Sequence, residues 1–564
     1  MPHDEVAVLI VGAGPVGLSA SLLLARRGVR SLVVDRRDGP HRAPQAHVVN
    51  PRTLEICRAA DVDMRQLRAR ATRREDGSHV VWMTRLAGEE LGRLPYERQG
   101  DENLQYTPTP LLNLSQHLFE PILLDRLSEE REAEVRYRHQ WTALEQDPDG
   151  VTSHIEQLET GRSYAVRSRW VLAADGAGSR VRRALGIEMI GPDRLQSFVM
   201  IHFEANLRPL VRKRPAILYW LLDPDVMGTL VAHDVERTWV FMHPYDPDTE
   251  PPETYTTDVC AGIVRRAIGR DDVAFTVRDV STWTMTAQLA ARYGSGRVFL
   301  IGDSAHRFPP TGGLGMNTGI QDAHNLVWKL CAVDAGCAPA ALLETYEAER
   351  RPVAQLNADH SLNNAMKMWE VFQALGILPD DREGSTVRMH ATLADPAGRE
   401  RLRAAIENQQ EHFDMFGLQL GFAYETGALV DDGWARPMPA NPVRDFLPTT
   451  RPGARLPHAW VERAGERVSV LDLVPYDRFT VLAGPTGSMW HEAAARVGAI
   501  PVQCLIAGRD FADPEGHWAS VCELGSDGAL LVRPDQHVAW RARSAPPDSA
   551  GALVSAVRTV LGLD

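Results

Sequence analysis

The spacing of apolar residues divides the chain into stretches of different character. Residues 5–11 are an apolar run with β-branched members, which predicts a strand buried on both faces of a parallel sheet. A glycine-rich turn follows. Leu18 to Arg27 then has helical character and stops at Gly28, a suitable C-terminal cap. SLVVD at 31–35 predicts a second buried strand, completing a βαβ opening. RVFLI at 297–301 predicts another. Alternating stretches within 134–172, at Val135–Tyr137 and Val151–Ile155, predict an antiparallel ribbon returning toward the first unit. The stretch 197–243 is rich in β-branched and aromatic residues and predicts an antiparallel sheet in a separate layer. Residues 75–115 carry mixed signals. Helical periodicity covers Thr318–Cys331 and Ala340–Asn363. Residues 376–398 and 430–458, rich in Pro, Asp and Gly, predict connections. Beyond about residue 465, apolar strands alternate with a helical segment at His491–Val497, predicting a small α/β domain.

Bulk properties narrow the function classes. The chain has 564 residues and a net charge of −13, the wrong sign for a nucleic-acid partner. No apolar run approaches the ~20 residues of a membrane span, and the N-terminus lacks the pattern of a signal peptide. The six cysteines form no CxxC pair and suit neither a disulfide framework nor a zinc site. Reduced thiols, a cytoplasmic location and no bound metal are the expectation.

Three motifs carry chemistry. Gly12-Ala13-Gly14-Pro15-Val16-Gly17 is a G-x-G-x-x-G between a strand and a helix: a tight turn at Gly12, backbone approach to a pyrophosphate at Gly14, close helix packing at Gly17. Asp35, at the end of the second strand, is placed to accept from a ribose hydroxyl. In VLAADGAGSRVRRALGI (171–187) a strand ends at Asp175-Gly176. In RVFLIGDSAHRFPPTGGLGMNTGIQDAHNLVWKL (297–330) a strand ends at Gly302-Asp303, and a PPTGG loop leads into a helix near Met316-Asn317. Asp303 can bind ribityl hydroxyls. The helix start at Gly315–Asn317 offers free N–H groups and a positive dipole end to a reduced isoalloxazine.

In this order the motifs resemble the single-component FAD-dependent aromatic hydroxylases, the fold of p-hydroxybenzoate hydroxylase and phenol hydroxylase. NLSQHLFEPIL (113–123) resembles the family helix whose glutamine contacts FAD, here Gln116. PQAHVVNPRTLEI (44–56), with Gln45 and Ala46, resembles the segment under the flavin. Many relatives carry a basic residue where Gln45 stands, and Arg36 or Arg42 is expected to supply that charge. LLETYEAERRPVA (342–354) resembles the helix after the third motif. RPGARLPHAW (451–460) and LLVRPDQHVAWRA (530–542) resemble the tail of the larger members, which include 2,4-dichlorophenol monooxygenase and natural-product tailoring enzymes of secondary metabolism.

The resemblance implies an α/β fold. A Rossmann-like (GR2-type) FAD-binding domain is formed by 1–190 and 285–400, with an antiparallel substrate-binding sheet inserted at 191–284. A helical connection spans 401–460 and a thioredoxin-like domain 461–564, without redox chemistry because CxxC is missing. The implied reaction is hydroxylation of a phenolic or other electron-rich ring through a flavin C4a-hydroperoxide. FAD is the bound cofactor, NADPH or NADH a transient donor and O2 the co-substrate. Partners are a small aromatic molecule and, for assembly, a second copy in a homodimer. Pro310 matches the family proline beside the flavin, in a loop with Gly313 that shields the reaction from water. His47 stands where phenol hydroxylases carry an acid. As a histidine near its free pKa it would bind the phenol or relay its proton. Tyr219, Trp220, His233, Trp239, Phe241 and His243 are the substrate candidates on the sheet, although alternation alone does not say which face each occupies. The alternatives are a Baeyer–Villiger or epoxidising oxygenase on the same fold, and a non-catalytic flavin-binding scaffold.

Overall fold

The computed structural model describes residues 4–379 and 381–564. Strand Asp4–Val11 runs through the middle of a parallel sheet, between Arg162–Ala173 and Ser31–Asp35. Val298–Leu300 and Ala133–Tyr137 extend the parallel set outward. Both faces are covered, so these strands read as apolar runs rather than alternating ones. The hairpin His139–Gln146/Val151–Gln157 lies antiparallel against the start of Arg162–Ala173, as the alternation predicts.

Register aligns the strand ends. Val11 lies opposite both Ala173 and Val34, and Ala173 lies opposite Leu300. The turns at Gly12, Asp175 and Gly302 therefore open at one sheet edge, beside Asp35. Ligands of open α/β sheets bind beyond the carboxyl ends of the strands. Helix Gly315–Asp334 crosses that edge closely: a Cβ on Gly319 would lie 2.8 Å from the Gly302 Cα.

A second sheet has the strand order Thr276–Met285, Gln196–Glu204, Thr238–Tyr245, Gly228–Asp234, Leu218–Leu221, His79–Met83, Glu90–Pro95. Its last two strands come from the mixed-signal stretch 75–115. One face packs on helix Thr257–Ile268, burying Ile201, Phe203, Tyr219, Trp239 and Phe241 against Cys260, Ile263 and Val264.

The expected connection at 376–398 is instead largely helical, spanning Arg382–Ala394 and the start of Pro396–Glu407. The polar and proline residues that suggested a loop are caps. Asp381 accepts from the Gly384 N–H, Asp395 accepts from those of Ala397 and Gly398, and Pro396 occupies a first-turn position where no N–H is needed. Residues 430–458 carry no helix or strand.

The C-terminal strands lie in the order Val502–Ile506, Phe479–Ala483, Ala529–Val532, Val538–Ala542; the first pair is parallel and the others antiparallel. Helices Met489–Ala495 and Ser549–Leu561 accompany them, completing the thioredoxin-like layout. Cys504 and Cys522 are unpaired, and burial pushes the Cys504 thiol up to about 12, which leaves it unreactive. Among the described residues no helix is long and apolar enough to cross a membrane.

Candidate active site

The glycine fingerprint has a different reason at each position. A Cβ on Gly12 would lie 2.2 Å from the Ala174 carbonyl oxygen, and its φ is +109°. A Cβ on Gly17 would lie 1.9 Å from the Gly12 carbonyl oxygen. Gly14 has nothing within 4 Å of its Cβ position and caps helix Pro15–Ala25 without a side-chain bond. The first N–H groups of this helix therefore face open space, as a pyrophosphate requires.

Asp35 accepts from the Ala13 N–H at 2.7 Å and from the Arg37 backbone N–H at 2.8 Å. Burial works to raise its carboxyl, but the Arg37 guanidinium and these N–H groups outweigh it and hold it below the usual carboxylate range. The expected cation was Arg36 or Arg42. Arg36 is exposed and Arg42 pairs with Asp38 at 2.7 Å, while Arg37 lies against Asp35 and reaches Glu120 at 3.5 Å. Adjacent residues leaving a strand point to opposite sides, and one position decides which arginine turns inward. The Gln116 side chain donates to Glu120 at 2.7 Å, and its backbone N–H donates to the Ala46 carbonyl at 2.7 Å. Gln45 is exposed.

The second and third motifs are cross-bonded. Ser304 donates to the Ala173 carbonyl at 2.6 Å, Arg182 donates to the Ser304 carbonyl at 3.1 Å, and Arg307 donates to the Ala177 carbonyl. Asp175 accepts the Arg180 and Val181 N–H groups through Oδ2, while its Oδ1 is buried with no protein partner. Burial raises the Asp175 carboxyl. Asp303 is hemmed in by protein, which raises its carboxyl too, yet its surface is open, as on the wall of a cleft.

In the third motif Gly313 has φ +61°, and a Cβ there would lie 2.6 Å from Val48. Pro310 is exposed and Met316 half-buried. Asn317 was expected at the cofactor, but its side chain is committed to the protein. Its Oδ1 accepts the Asn50 N–H at 3.0 Å, and its Nδ2 donates to the carbonyls of Val48 at 2.9 Å and Gly313 at 2.7 Å. It staples strand Val48–Val49 to the helix start. What remains for a ligand is backbone, and Gly315 has nothing within 4 Å of its Cβ position.

His47 lies just before that strand. Its Nε2 is 3.3 Å from the Tyr96 hydroxyl, and its ring meets His233 edge-on at 5.6 Å. Burial lowers it to about 4, so it does not keep the near-free pKa expected of it.

The sheet separates the substrate candidates. Tyr219, Trp239, Phe241 and His243 turn away from His47. Tyr219 donates to the Arg214 carbonyl at 3.0 Å, Trp239 to the Ala205 carbonyl at 3.2 Å, and His243 contacts the Met227 carbonyl at 3.0 Å. Trp220 and His233 lie on the opposite face with Thr229, Met200 and Met242, as the pairing of Trp220 with Thr229, Thr229 with Met242 and Met242 with Met200 requires. Phe198 and Trp283 continue that face and stack at 5.3 Å. The indole N–H groups of Trp220 and Trp283 and Nδ1 of His233 have no protein partner. Parity with Trp220 would have found Met200 and Met242, but nothing local marks Tyr96.

The donor set fits FAD: open helix starts at Gly14 and Gly315, a tethered ribose acceptor at Asp35, an open carboxylate at Asp303 and an unpartnered one at Asp175. Comparison with known proteins agrees. Residues 5–361 match the FAD binding domain family, and residues 449–563 match the aromatic-ring hydroxylase C-terminal family. The chain is 36% identical to 2,4-dichlorophenol 6-monooxygenase of Cupriavidus pinatubonensis, over 99% of this chain and 96% of that protein. It is 36% identical to tetracenomycin A2 monooxygenase-dioxygenase of Streptomyces glaucescens, over 100% and 98%. Among solved structures, the flavin-dependent monooxygenase PieE in complex with FAD and substrate superposes with a TM-score of 0.93 at 38% identity, covering 100% of both chains. Aklavinone-11 hydroxylase with FAD and aklavinone superposes with a TM-score of 0.83 at 33% identity, covering 100% of both.

Proposed function

The chain belongs to the family of FAD-dependent aromatic-ring hydroxylases, and on that premise we propose that its substrate is a phenol carried on several fused rings. The protein is a flavin-dependent monooxygenase that draws on NAD(P)H and O2. The substrate reading rests on one observation, the sheet face turned away from helix Thr257–Ile268, which His412 closes at its Trp220 end with ring centroids 6.2 Å apart. Phe198, Met200, Met242, Trp220 and Trp283 are half-buried side chains spread over the strands from Thr276–Met285 to Leu218–Leu221. Three strand spacings of ~4.8 Å, from Thr276–Met285 to Gly228–Asp234, make that wall about 14 Å wide, more than the width of one ring. Planar rings stack on aromatic walls, and methionine adapts to irregular shapes.

In this reading the N–H groups of Val16 and Gly17, just beyond Gly14 and Pro15, would hold the pyrophosphate. Gly12 and Gly17 shape that turn, and Asp35 holds the adenosine ribose. Asp303, Asp175 and Gln116 take the ribityl and neighbouring polar atoms. The backbone at Gly315, Met316 and Asn317 would hold the flavin ring together with Ala46, Pro310 and Gly313, its free N–H groups suiting the negative charge of a reduced isoalloxazine. Bound FAD supplies the reduction by NAD(P)H and the activation of O2.

His47 orients the phenol. Burial keeps it neutral at pH 7, so one ring nitrogen donates and the other accepts; Tyr96 occupies one, leaving the other for a substrate oxygen. A complete proton transfer from a phenol of pKa ~10 to a base near 4 would cost about 8 kcal/mol, at 1.36 kcal/mol per unit. A shared hydrogen bond carries no such cost and still polarises the ring oxygen.

The test is a substrate screen. Fused-ring phenolic ketones should stimulate NAD(P)H consumption and yield a product heavier by one oxygen, with single-ring phenols far weaker. Equal or better turnover of single-ring phenols would refute the fused-ring reading.

A further inference from the structure

The RPDQH segment of the C-terminal domain, Arg533–His537, joins two neighbouring strands, yet it is buried against the FAD-binding domain. Arg533 is fully buried and forks onto Glu349, with N–O distances of 2.8 and 2.9 Å. Its Nε donates to Asp535 at 2.9 Å. The same Glu349 carboxylate accepts from Lys329 at 2.7 Å and Asn325 at 2.5 Å, both on helix Gly315–Asp334. Gln536, held at φ +61°, accepts from Arg52 at 2.7 Å, and the Asp535 carbonyl accepts from Arg52 at 2.6 Å. Arg52 lies in the first turn of helix Pro51–Ala59, directly after Asn50, whose N–H the Asn317 side chain accepts.

The segment thus grips two helices at once, helix Pro51–Ala59 directly and helix Gly315–Asp334 through Glu349 of helix Glu344–Leu375. One starts at the third motif and the other follows strand Val48–Val49, and Asn317 joins their ends. A neighbouring network continues to the strand end. Arg350 donates to Asp322 at 2.9 Å, and Asp322 accepts the Gly302 N–H at 3.1 Å and His306 at 2.6 Å.

Buried charge networks of this kind are poor sources of stability, since apolar residues of similar size often serve as well or better. What they supply is direction, because each bond fixes an angle as well as a distance. We propose that Arg533, Asp535 and Gln536 are positioning residues of the FAD site, through which the C-terminal domain sets the spacing between helix Pro51–Ala59 and helix Gly315–Asp334. This role is independent of the substrate and gives the redox-silent domain a part in the reaction.

The test uses the full chain stripped of FAD and titrated with it. Gln536→Ala removes the Arg52 contact without stranding a charge, and Arg533→Lys keeps the charge but loses the fork. Both should weaken FAD binding at least tenfold by flavin fluorescence. With saturating FAD, both should alter its visible circular dichroism and shift NAD(P)H consumption toward hydrogen peroxide. Trp460→Phe is the control: it removes another contact between the domains, Trp460 Nε1 to the Leu104 carbonyl at 3.0 Å, that touches neither helix. It should leave FAD affinity and dichroism unchanged. The proposal is overturned if Gln536→Ala lowers only the melting temperature and binds FAD with parental affinity and dichroism, or if Trp460→Phe perturbs the flavin equally. Should Arg533→Lys not fold, Gln536→Ala decides alone.

Discussion

Gly14 separates the protein's own needs from those of its cofactor. A Cβ at this position meets nothing within 4 Å, and the backbone is extended, with φ −79° and ψ −178°. Alanine is therefore sterically free in the protein alone. The loss of a glycine N-cap costs a few tenths of a kcal/mol to about 1, and the reduced freedom of the unfolded chain returns ~0.4–1. The FAD-free stability of Gly14→Ala should thus lie within about 1 kcal/mol of the parent. The added methyl projects into the space before the helix N-terminus, where a pyrophosphate would approach the N–H groups. Losing two charge-assisted hydrogen bonds at ~1.5–3 kcal/mol each costs about 3–6 kcal/mol, or 10²–10⁴-fold in affinity. Gly17→Ala makes the contrast. Its Cβ would lie 1.9 Å from the Gly12 carbonyl oxygen, so the helix must move and stability should fall along with binding. The assay pairs thermal unfolding of the FAD-free protein with fluorescence titration of FAD. A Gly14→Ala protein that binds FAD within threefold of the parent would refute this placement of the pyrophosphate.

Two further predictions concern histidines. His47→Gln should lower kcat/KM for the phenol about tenfold, the worth of one hydrogen bond near 1.4 kcal/mol, without removing a limb from the pH profile between 6 and 9, because His47 titrates near 4; loss of a limb near 6–7 would show that it ionises there. Burial lowers His458 to about 3, below its unfolded value of ~6.5, so the stability it contributes at neutral pH is lost as the pH falls through that window. At pH 5 the loss is about 2 kcal/mol, and His458→Gln should destabilise that much less than the parent between pH 7.5 and 5 in thermal melts; parallel curves would contradict it.

The strand ends were legible in the sequence because everything that makes them is local. An apolar run, a glycine turn and an acid within a few residues of each other leave few other arrangements. The sheet face was not, because alternation gives relative parity only. Trp220 and Tyr219 are neighbours, and only the pairing of Trp220 with Thr229 and Trp82 assigns the first to the face opposite helix Thr257–Ile268. Contacts across long separations left no trace at all. Tyr96 meets His47 from 49 residues away and Arg533 meets Glu349 from 184. The displaced pKa of His47 also needed the structure, since it arises from burial rather than from any neighbour in sequence.

The groups without protein partners extend this reasoning to the substrate. Trp220 Nε1, Trp283 Nε1 and His233 Nδ1 lie buried on the sheet face turned away from helix Thr257–Ile268, and an indole N–H can only donate. A buried donor left unmet costs ~1–3 kcal/mol, so such groups select for a ligand that brings acceptors. A plain hydrocarbon face would leave both indoles unmet, whereas a fused-ring phenol bearing ketone or quinone oxygens could satisfy them while its rings lie along Phe198 and Met242. The wall therefore discriminates by chemistry as well as by width. Between two phenols of equal size, the one with carbonyl oxygens away from the reacting ring should bind more tightly. Truncating Trp283 to phenylalanine, which keeps the stacking surface and deletes the donor, should erase most of that difference.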